Sequence, residues 1–240
     1  MHWSAETAGV NALLLRFGDA MSPELSARIH QVSLRLQNSL GDRILNLTPA
    51  YTTLLIEYDL LQDTQTSLLT LITPLLNNLS PDTPLADTDP INIPVYYDPH
   101  TTGPDLTALA EQKNCTVEDI IQRHCDQEYR VYALGFAPGF AYMGETHPDL
   151  RITRLETPRV RVPAGSVAIA DNQTAIYPID SPGGWRLLGR TPMKLFNVQA
   201  DPPALLQPGQ RVRFHPVDRE TFIQLGGELD DQFSGKSSHD

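Results

Sequence analysis

The sequence predicts a small α+β N-terminal domain followed by a larger, mainly-β domain. Residues 1–79 alternate β-type apolar runs with helical patterns. The segment Ser80–Pro90 then contains three prolines and three aspartates but no aromatic residue, as is typical of linkers. From Glu128 onward, short β-branched runs alternate with glycine and proline, as in barrels and sandwiches. We therefore place the domains at 1–88 and 89–240.

The first domain should contain two strands and two helices in alternation. Gly9–Phe17 and Tyr51–Tyr58 have the composition of strands. Ser22, followed by proline and glutamate, is a typical helix start, and the helical spacing of apolar residues ends at Gly41. Thr66–Leu79 is leucine-rich and has a helical period, although its internal proline should kink or end that helix. This order predicts helices on one face of a sheet.

The second domain should begin with the strand Ile91–Tyr97 and two short helices, Asp105–Gln112 and Thr116–His124. Thr116 with an aspartate three residues later approximates a capping box. A polar tail from Gly226 should be frayed. The remaining predicted strands are Tyr129–Leu134, Val160–Val162, Ser166–Ala170, Ala175–Tyr177, Lys194–Val198 and Arg211–Phe214.

Composition narrows the class of protein. The 240 residues are 40% hydrophobic, enough for a sizeable core, and their net charge of −11 argues against nucleic acid or an anionic membrane as the main partner. The N-terminus lacks a basic region, and its apolar run Leu13–Leu15 is too short for a signal peptide or membrane span. Cys115 and Cys125 imply no disulfide framework. A cytoplasmic protein is the expected class.

Basic residues cluster in one part of this acidic chain. Between Leu150 and Lys194 lie seven basic and three acidic side chains. Guanidinium binds carboxylate or phosphate through paired hydrogen bonds. We favour Arg159 and Arg190 as anion ligands because each adjoins a Gly/Pro-rich loop. The alternative is that these arginines pair with surface acids and bind no ligand.

Two loops combine aromatic rings with glycine and proline. If they converge, they form an apolar groove of the kind that binds ligands. The alternative is that the rings fill the ends of a barrel, although the tryptophan is expected to be partly exposed. The loop residues concerned are Phe136, Pro138, Gly139, Phe140, Gly183, Gly184 and Trp185.

His124 is the candidate for proton transfer. Glu128 follows it at i+4 and would share its face if the helix persists, so that the carboxylate could orient the imidazole. A structural or capping histidine is the commoner alternative. No further histidine or cysteine stands at ligand spacing, so no metal site is predicted. Ser166 lacks the second glycine of a nucleophile elbow and should open a strand beside the groove.

Three long motifs resemble a known family. They read G-F-A-P-G-F-A-Y-M-G, P-R-V-R-V-P-A-G-S-V-A-I-A and Y-P-I-D-S-P-G-G-W-R-L-L-G-R-T-P, and P-P-A-L-L-Q-P-G-Q-R-V-R-F follows them. They are similar to the allophanate hydrolase subunit 1 family, which includes the B subunit of bacterial ATP-dependent 5-oxoprolinase and the kinase inhibitor KipI. The resemblance spans roughly residues 10–216.

This resemblance implies that the second domain is a cyclophilin-like β-barrel. It also implies a non-autonomous component of an ATP-dependent 5-oxoprolinase complex, which opens 5-oxo-L-proline to L-glutamate. The implied partners are a second cyclophilin-like protein, the C subunit of that enzyme, and its A subunit. ATP, with any Mg²⁺ that accompanies it, would serve the complex, and the chain alone should be inactive. The alternative is a KipI-like inhibitor that binds a sensor histidine kinase.

The site hypothesis assigns a role to each residue singled out above. Arg159 and Arg190 would hold an anionic group. The aromatic loop residues would form the wall of the groove, and their glycines and proline would set its shape. Ser166 would lie in the same groove, and His124 would position or transfer a proton. The groove would face either a partner protein or a small-molecule lactam.

Overall fold

The computed structural model describes residues 2–78 and 89–229. The chain forms two compact units, Met1–Thr88 and Asp89–Asp240. Most of the predicted linker Ser80–Pro90 lies outside the described residues. The same is true of the predicted tail beyond residue 229. None of the helices in the two described ranges has the length and apolarity needed to cross a membrane.

The first unit contains a four-stranded antiparallel sheet. In the two inner strands, buried side chains alternate with partly exposed ones, so one face of the sheet is apolar. The order across the sheet is β1-β2-β4-β3. The sequence patterns predicted β2 and β4 but missed β1 and β3, whose residues are mostly exposed or half-buried. The strands are β1 (Ser4–Gly9), β2 (Ala12–Arg16), β3 (Ile44–Ala50) and β4 (Thr53–Tyr58).

Two helices complete the first unit, α1 (Pro23–Leu40) and α2 (Gln65–Asn77). The Ser22 side chain accepts the Leu25 N–H at 3.1 Å and caps α1 as predicted. The prediction was that Pro74 kinks or ends this helix; α2 continues through Pro74 to Asn77, so the proline does not end it, and the kink stays a prediction. The apolar faces of both helices and the inner strands share one core.

The second unit is dominated by a seven-stranded sheet, mostly antiparallel. Its order is β5-β13-β6-β7-β10-β9-β12, and only β5 and β13 run parallel to each other. β8 and β11 form a separate two-stranded sheet. The strands are β5 (Ile91–Val95), β6 (Glu128–Leu134), β7 (Ala141–Gly144), β8 (Arg159–Val162), β9 (Ser166–Ala170), β10 (Gln173–Ile176), β11 (Ser181–Gly183), β12 (Arg186–Arg190) and β13 (Arg211–Pro216).

The predicted closed barrel is not confirmed. The paired strands of the second unit form an open order with β5 and β12 at its two ends. A single antiparallel bridge joins those ends, through Tyr96 and Arg190, whose N–H and C=O groups exchange hydrogen bonds of 2.9 and 3.0 Å. The structure therefore shows a mixed α/β protein with a large, mainly antiparallel sheet.

Among its described residues, the second unit contains three α-helices: α3 (Leu106–Lys113), α4 (Val117–Cys125) and α5 (Arg219–Gln224). The predicted capping box at Thr116 and Asp119 is present at the start of α4. α5 was not predicted. The expected strand over Lys194–Val198 was wrong, since this stretch makes only one isolated bridge, from Phe196 to Ala204.

Candidate functional site

The motif Gly135–Phe140 forms a tight loop between β6 and β7. The Gly135 N–H donates to the Phe140 carbonyl, and the Phe140 N–H donates to the Ala137 carbonyl. Phe136, at a φ of 69°, is 63% exposed, whereas Phe140 is 2% exposed. The loop therefore directs one ring outward and one inward, with the two still in edge contact at 5.2 Å.

Gly139 allows this loop to lie against the chain that follows β12. Its φ is 83°, in the left-handed region, and a Cβ there would come within 2.7 Å of the Leu195 carbonyl oxygen. A larger residue would have to displace main chain rather than a flexible side chain. Pro138, next to it, is exposed at the tip of the loop.

The structure brings the two aromatic loops together. The ring centroids of Phe140 and Trp185 lie 6.0 Å apart, and the Phe140 ring also meets Tyr177 edge-on at 5.3 Å. The expectation of a partly exposed Trp185 was wrong, because it is only 5% exposed. Its ring packs against Tyr142, and the Arg154 guanidinium lies over it at 5.7 Å.

Tyr177 is the residue at the centre of this cluster that the sequence analysis missed. Its hydroxyl accepts the main-chain N–H of Trp185, and burial raises the pKa of the phenol. Its ring also contacts the exposed Phe136 at 6.3 Å. The signal available in the sequence was its position directly before the proline of the third motif, where a rigid loop starts. Tyr177 therefore links the exposed ring to the buried ones.

Position 183 requires glycine because the Tyr177 side chain lies too close for a Cβ. A Cβ on Gly183 would overlap the Tyr177 hydroxyl, while a Cβ on Gly184 would meet its nearest neighbours at 3.6 Å, an ordinary contact. We expect Gly183→Ala to lower the free energy of unfolding by about 1–3 kcal/mol, since Tyr177 is buried and cannot swing away. Urea unfolding of the full chain measures this difference.

Gly184→Ala is the matched control for that substitution. Both variants lose the same backbone freedom in the unfolded chain, so the difference between their stabilities isolates the clash. Equal stabilities for the two variants would show that Tyr177 is not the constraint on this loop.

Arg159 lies beside the aromatic cluster but is already ion-paired. Its Nη2 is 2.8 Å from Oδ1 of Asp105, and its Nη1 is 3.5 Å from the Trp185 carbonyl oxygen. The other oxygen of Asp105 accepts the main-chain N–H of Leu187. The pair thus ties the start of α3 to β8 and β12. This geometry favours the structural alternative for Arg159 over a free anion ligand.

Two other arginines of the basic stretch also pair with acids. Nε of Arg161 lies 2.6 Å from Oδ2 of Asp180, and Nη2 of Arg151 lies 3.3 Å from Oε2 of Glu145. The Ala164 N–H and then Arg161 lower the pKa of Asp180 despite some desolvation. These exposed pairs contribute little stability, but they offset much of the local positive charge.

Arg190 lines a pocket of about 210 Å³. Its Nε donates to the Ala164 carbonyl at 2.7 Å, and its Nη1 donates to the Glu228 carbonyl at 2.8 Å. Segments from the second and third motifs meet there with the residues after α5. The lining residues are Ala164, Gly165, Pro178, Arg190, Thr191, Pro192, Met193, Lys194, Phe222, Gly226, Gly227 and Glu228.

The structure separates His124 from Glu128. α4 ends at Cys125, and Glu128 starts β6, where its carboxylate lies 3.1 Å from the Arg211 guanidinium. The His124 ring has no exposed surface and stacks on Phe214 at 4.6 Å. The proposed acid–base pair is therefore not formed, because the helix does not persist and the imidazole lies in the core.

The hydrogen bonds of His124 fix its tautomer. The Thr174 hydroxyl donates to the Ala168 carbonyl, so it accepts from Nε2–H of His124 at 3.0 Å. Nδ1 then accepts the Tyr97 O–H at 2.8 Å. Burial lowers the pKa of His124 to about 3. The imidazole is a neutral, fully bonded core residue.

Ser166 opens β9 as predicted, but the residue is buried. Its hydroxyl therefore does not face a solvent-accessible groove. Within the residues that the structure describes, no group of three histidine, cysteine, aspartate or glutamate side chains is placed to hold a metal ion.

Comparisons with known proteins identify relatives of this chain. Residues 3–206 match the family described as carboxyltransferase domain, subdomain C and D. The chain is 32% identical over 232 residues to the B subunit of 5-oxoprolinase from Bacillus subtilis, covering 92% of this chain and 96% of that protein. It is 44% identical over 126 residues to the corresponding B subunit from Escherichia coli O157:H7, covering 52% of this chain and 57% of the relative.

A solved structure has a similar fold. The crystal structure of TTHA0988 superimposes with a TM-score of 0.75 at 38% identity over 86% of this chain. This match covers 40% of the TTHA0988 chain, so this chain corresponds to less than half of that protein. These relatives give no support to the kinase-inhibitor alternative.

Proposed function

The chain belongs to the family of the carboxyltransferase domain, subdomain C and D, and within it to the 5-oxoprolinase B subunits, and we propose that it serves in an ATP-dependent 5-oxoprolinase complex. The observation that carries this proposal is the similarity to the Bacillus subtilis protein, which runs almost from end to end of both chains. A shared domain inside an unrelated protein would give a shorter match.

The proposed reaction is the opening of the lactam of 5-oxo-L-proline. Water adds across the ring amide: its oxygen joins the carbonyl carbon, the C–N bond breaks, and the nitrogen takes a proton to give L-glutamate. A lactam is a poor electrophile, so transfer of the γ-phosphoryl group of ATP to the lactam oxygen, with release of ADP, would activate it. Water would then attack the carbonyl carbon, the C–N bond would break to leave an acyl phosphate, and a second water would release inorganic phosphate. Both the phosphorylated species and the substrate carboxylate are anions, which arginine-rich surroundings stabilise.

This chain is proposed to contribute binding surface and not the complete chemistry. In the part of the chain that the structure describes, no glycine-rich loop leads into a helix N-terminus as in phosphate-binding loops. We therefore propose that ATP, with its Mg²⁺, serves the complex and that this chain supplies no loop of that kind to its phosphates. The His124 side chain has no exposed surface through which it could contact a substrate, so we propose that another group serves as the general base.

The proposed contact surface is the rim of the aromatic cluster. Phe136 is the exposed ring, Pro138 forms the tip of its loop, and Phe140 and Trp185 support them from below. Exposed rings backed by a packed cluster are suited to protein contact. The occupant would be the cyclophilin-like C subunit, and the A subunit would complete the enzyme. Nucleic acid and membrane have no part in this proposal.

Three further expectations belong to the same proposal. The second unit would be a cyclophilin-like barrel whose seam is the Tyr96–Arg190 bridge. Residues 1–88 and 89–240 would be separate domains. The complex would act in the cytoplasm.

ATP-dependent release of glutamate from 5-oxo-L-proline tests the function. The chain alone, the A and C subunits without it, and all three proteins together are each assayed with and without ATP. We expect activity only in the complete mixture with ATP. Activity of the other two proteins without this chain would remove its role, as would an inactive complete mixture of folded proteins.

A further inference from the structure

A second loop, residues 195–205, lies directly against the aromatic loop of residues 135–140. It follows β12, precedes β13 and falls within the residues 3–206 that match the family. A Cβ at Gly139 would lie 2.7 Å from the Leu195 carbonyl oxygen and 2.9 Å from the Phe196 Cβ. The two loops therefore adjoin, and we call their shared outer face the paired-loop surface.

The second loop is held in shape by its own hydrogen bonds. The Leu205 N–H donates to the Leu195 carbonyl at 2.9 Å, and the Asn197 N–H donates to the Pro203 carbonyl at 2.8 Å. The Asn197 side chain accepts the Gln199 N–H at 3.0 Å and closes the turn at the tip. Leu195 is buried and anchors the base of the loop. A partner would therefore meet a preformed loop, which lowers the conformational cost of association.

Large apolar side chains are exposed on both loops. Val198 is 73% exposed and Phe196 is 39% exposed on the second loop. The exposed Phe136 and Pro138 lie on the first. Single exposed apolar residues are common, but several on adjoining loops are typical of an interaction site.

The charge of the paired-loop surface is equally distinctive. Asp201 is the single charged residue in the sequences of the two loops, although 20% of the whole chain is charged. Interface centres are depleted in charged residues and enriched in aromatic ones. Asp201 is exposed, and in the described part of the chain no cationic side chain forms an ion pair with it. The complementary face is therefore apolar, with a basic side chain opposite Asp201.

These charges disfavour a second copy of this chain as the occupant. A two-fold dimer would place the same loops against each other, so that Asp201 would approach the Asp201 of the other copy. Each chain also carries a net charge of −11, so two copies repel each other. A different protein is the occupant that the charges favour.

We propose that the loops 135–140 and 195–205 together form a docking surface for the C subunit of the complex, which presents an apolar face with a basic side chain opposite Asp201. The identity of this occupant rests on the proposed function. The chemistry of its face does not rest on it, because that chemistry is argued from the paired-loop surface alone.

Calorimetric titration of the full chain with the C subunit tests the surface. We expect Val198→Glu to weaken binding at least about 30-fold, because the new carboxylate would be buried in the interface without a partner. The exposed position of Val198 allows this variant to fold. Val10→Glu, in the turn between β1 and β2 at a residue that is 84% exposed, is the matched control and should bind as the wild type does. Equal affinities of the two variants would overturn the proposal.

Asp201→Asn tests the charge of the partner's face. We expect it to weaken binding about 3-fold at low salt and to reduce the loss of affinity that added NaCl causes, since one ion pair across the interface disappears. A variant with the affinity and the salt dependence of the wild type would overturn the assignment of a basic side chain opposite Asp201.

Sedimentation of the chain alone tests the choice of occupant. We expect a monomer. A dimer that Val198→Glu dissociates would overturn the proposal in favour of a second copy. Wild-type binding to the C subunit that Val198→Glu leaves intact would overturn the docking surface and leave the proposed function standing. Absence of wild-type binding would instead count against the proposed complex itself, and the docking surface would fall with it.

Glutamate release by the complete mixture separates docking from chemistry. With Val198→Glu, we expect a lower rate when the C subunit is limiting and the wild-type rate when it is saturating, because a docking residue changes the amount of complex and not its turnover. A rate that stays low at saturation would overturn the docking role.

Discussion

Replacing Asp105 with alanine is expected to lower the free energy of unfolding by about 3–5 kcal/mol. The Asp105 carboxylate is buried and serves two partners, the Arg159 guanidinium and the Leu187 N–H. Its removal leaves a positive charge, itself only 22% exposed, and a buried main-chain donor without their acceptor. Urea unfolding of the full chain, followed by circular dichroism, measures the loss.

The exposed pair Arg151–Glu145 provides the comparison. Both side chains are about half exposed, so Glu145→Ala should cost less than about 1 kcal/mol. A double-mutant cycle of Asp105→Ala with Arg159→Ala should show the double variant to be more stable than the sum of the single losses predicts. An Asp105→Ala variant as stable as Glu145→Ala would show that the buried pair does not hold α3 to the sheet.

The protein is expected to lose stability on acidification at pH values well above those at which carboxylates titrate. The pKa of His124 is lowered to about 3 in the folded chain, against an ordinary value of 6.5. Below pH 6.5, His124 therefore binds a proton in the unfolded chain but stays neutral in the folded chain. The free energy of unfolding consequently decreases as the pH falls. The slope from this residue approaches about 1.4 kcal/mol per pH unit below 6.5. Urea unfolding at intervals between pH 7.5 and 4.5 measures it.

Between pH 6.5 and 4.5 the contribution of His124 to the pH dependence of stability can be separated from that of the aspartates. Desolvation raises the pKa of Asp98, but the hydrogen bonds from Thr101 and His100 together outweigh it and leave that pKa lowered from 3.8. Hydrogen bonds also lower the pKa values of Asp119 and Asp180, so the stability that these three groups contribute is lost only at lower pH. His124→Gln should flatten the slope between pH 6.5 and 4.5 even though it lowers stability at pH 7.5. His100→Gln, at an exposed position, should keep the wild-type slope. A steep slope that persists in His124→Gln would assign the acid sensitivity to another group.

The neighbours of His124 explain why its imidazole stays unprotonated in the folded protein. Nδ1 accepts from Tyr97, and the Cys125 thiol donates to the same phenol oxygen. Burial raises the pKa of Tyr97 and of Cys125, so both stay neutral around the imidazole. Among the described residues, none of the side chains that contact His124 is anionic, so its protonated form would have to break this chain of hydrogen bonds without a compensating charge.

Features set by neighbouring residues in the chain were predictable. The Ser22 cap of α1 and the capping box at Thr116 each need only a side chain and the main chain three residues away. The motifs around Gly139 and Gly183 also marked correctly where backbones and rings approach closely. The family resemblance could be recognised from these motifs because a tightly shaped loop restricts which residues can occupy each position.

Features that depend on distant partners were not predictable. Arg159 and Arg190 both stand beside Gly/Pro-rich loops in the sequence, yet one meets a buried aspartate 54 residues away while the other lines a pocket. Trp185 was expected to be partly exposed and is buried because Tyr142 and Arg154 cover it. His124 was paired with the wrong residue because α4 ends before the next turn.

The local pattern of caps, glycines and prolines thus determined the starts of α1 and α4, the two shaped loops and the family resemblance, because these depend on steric and hydrogen-bonding rules within a few residues. β1, β3 and α5 were not predicted. The pairing of each arginine, the burial of Trp185 and the neutrality of His124 were decided by the fold. Solvation and Coulomb energies depend on which groups lie nearby in space, and long-range packing sets that neighbourhood.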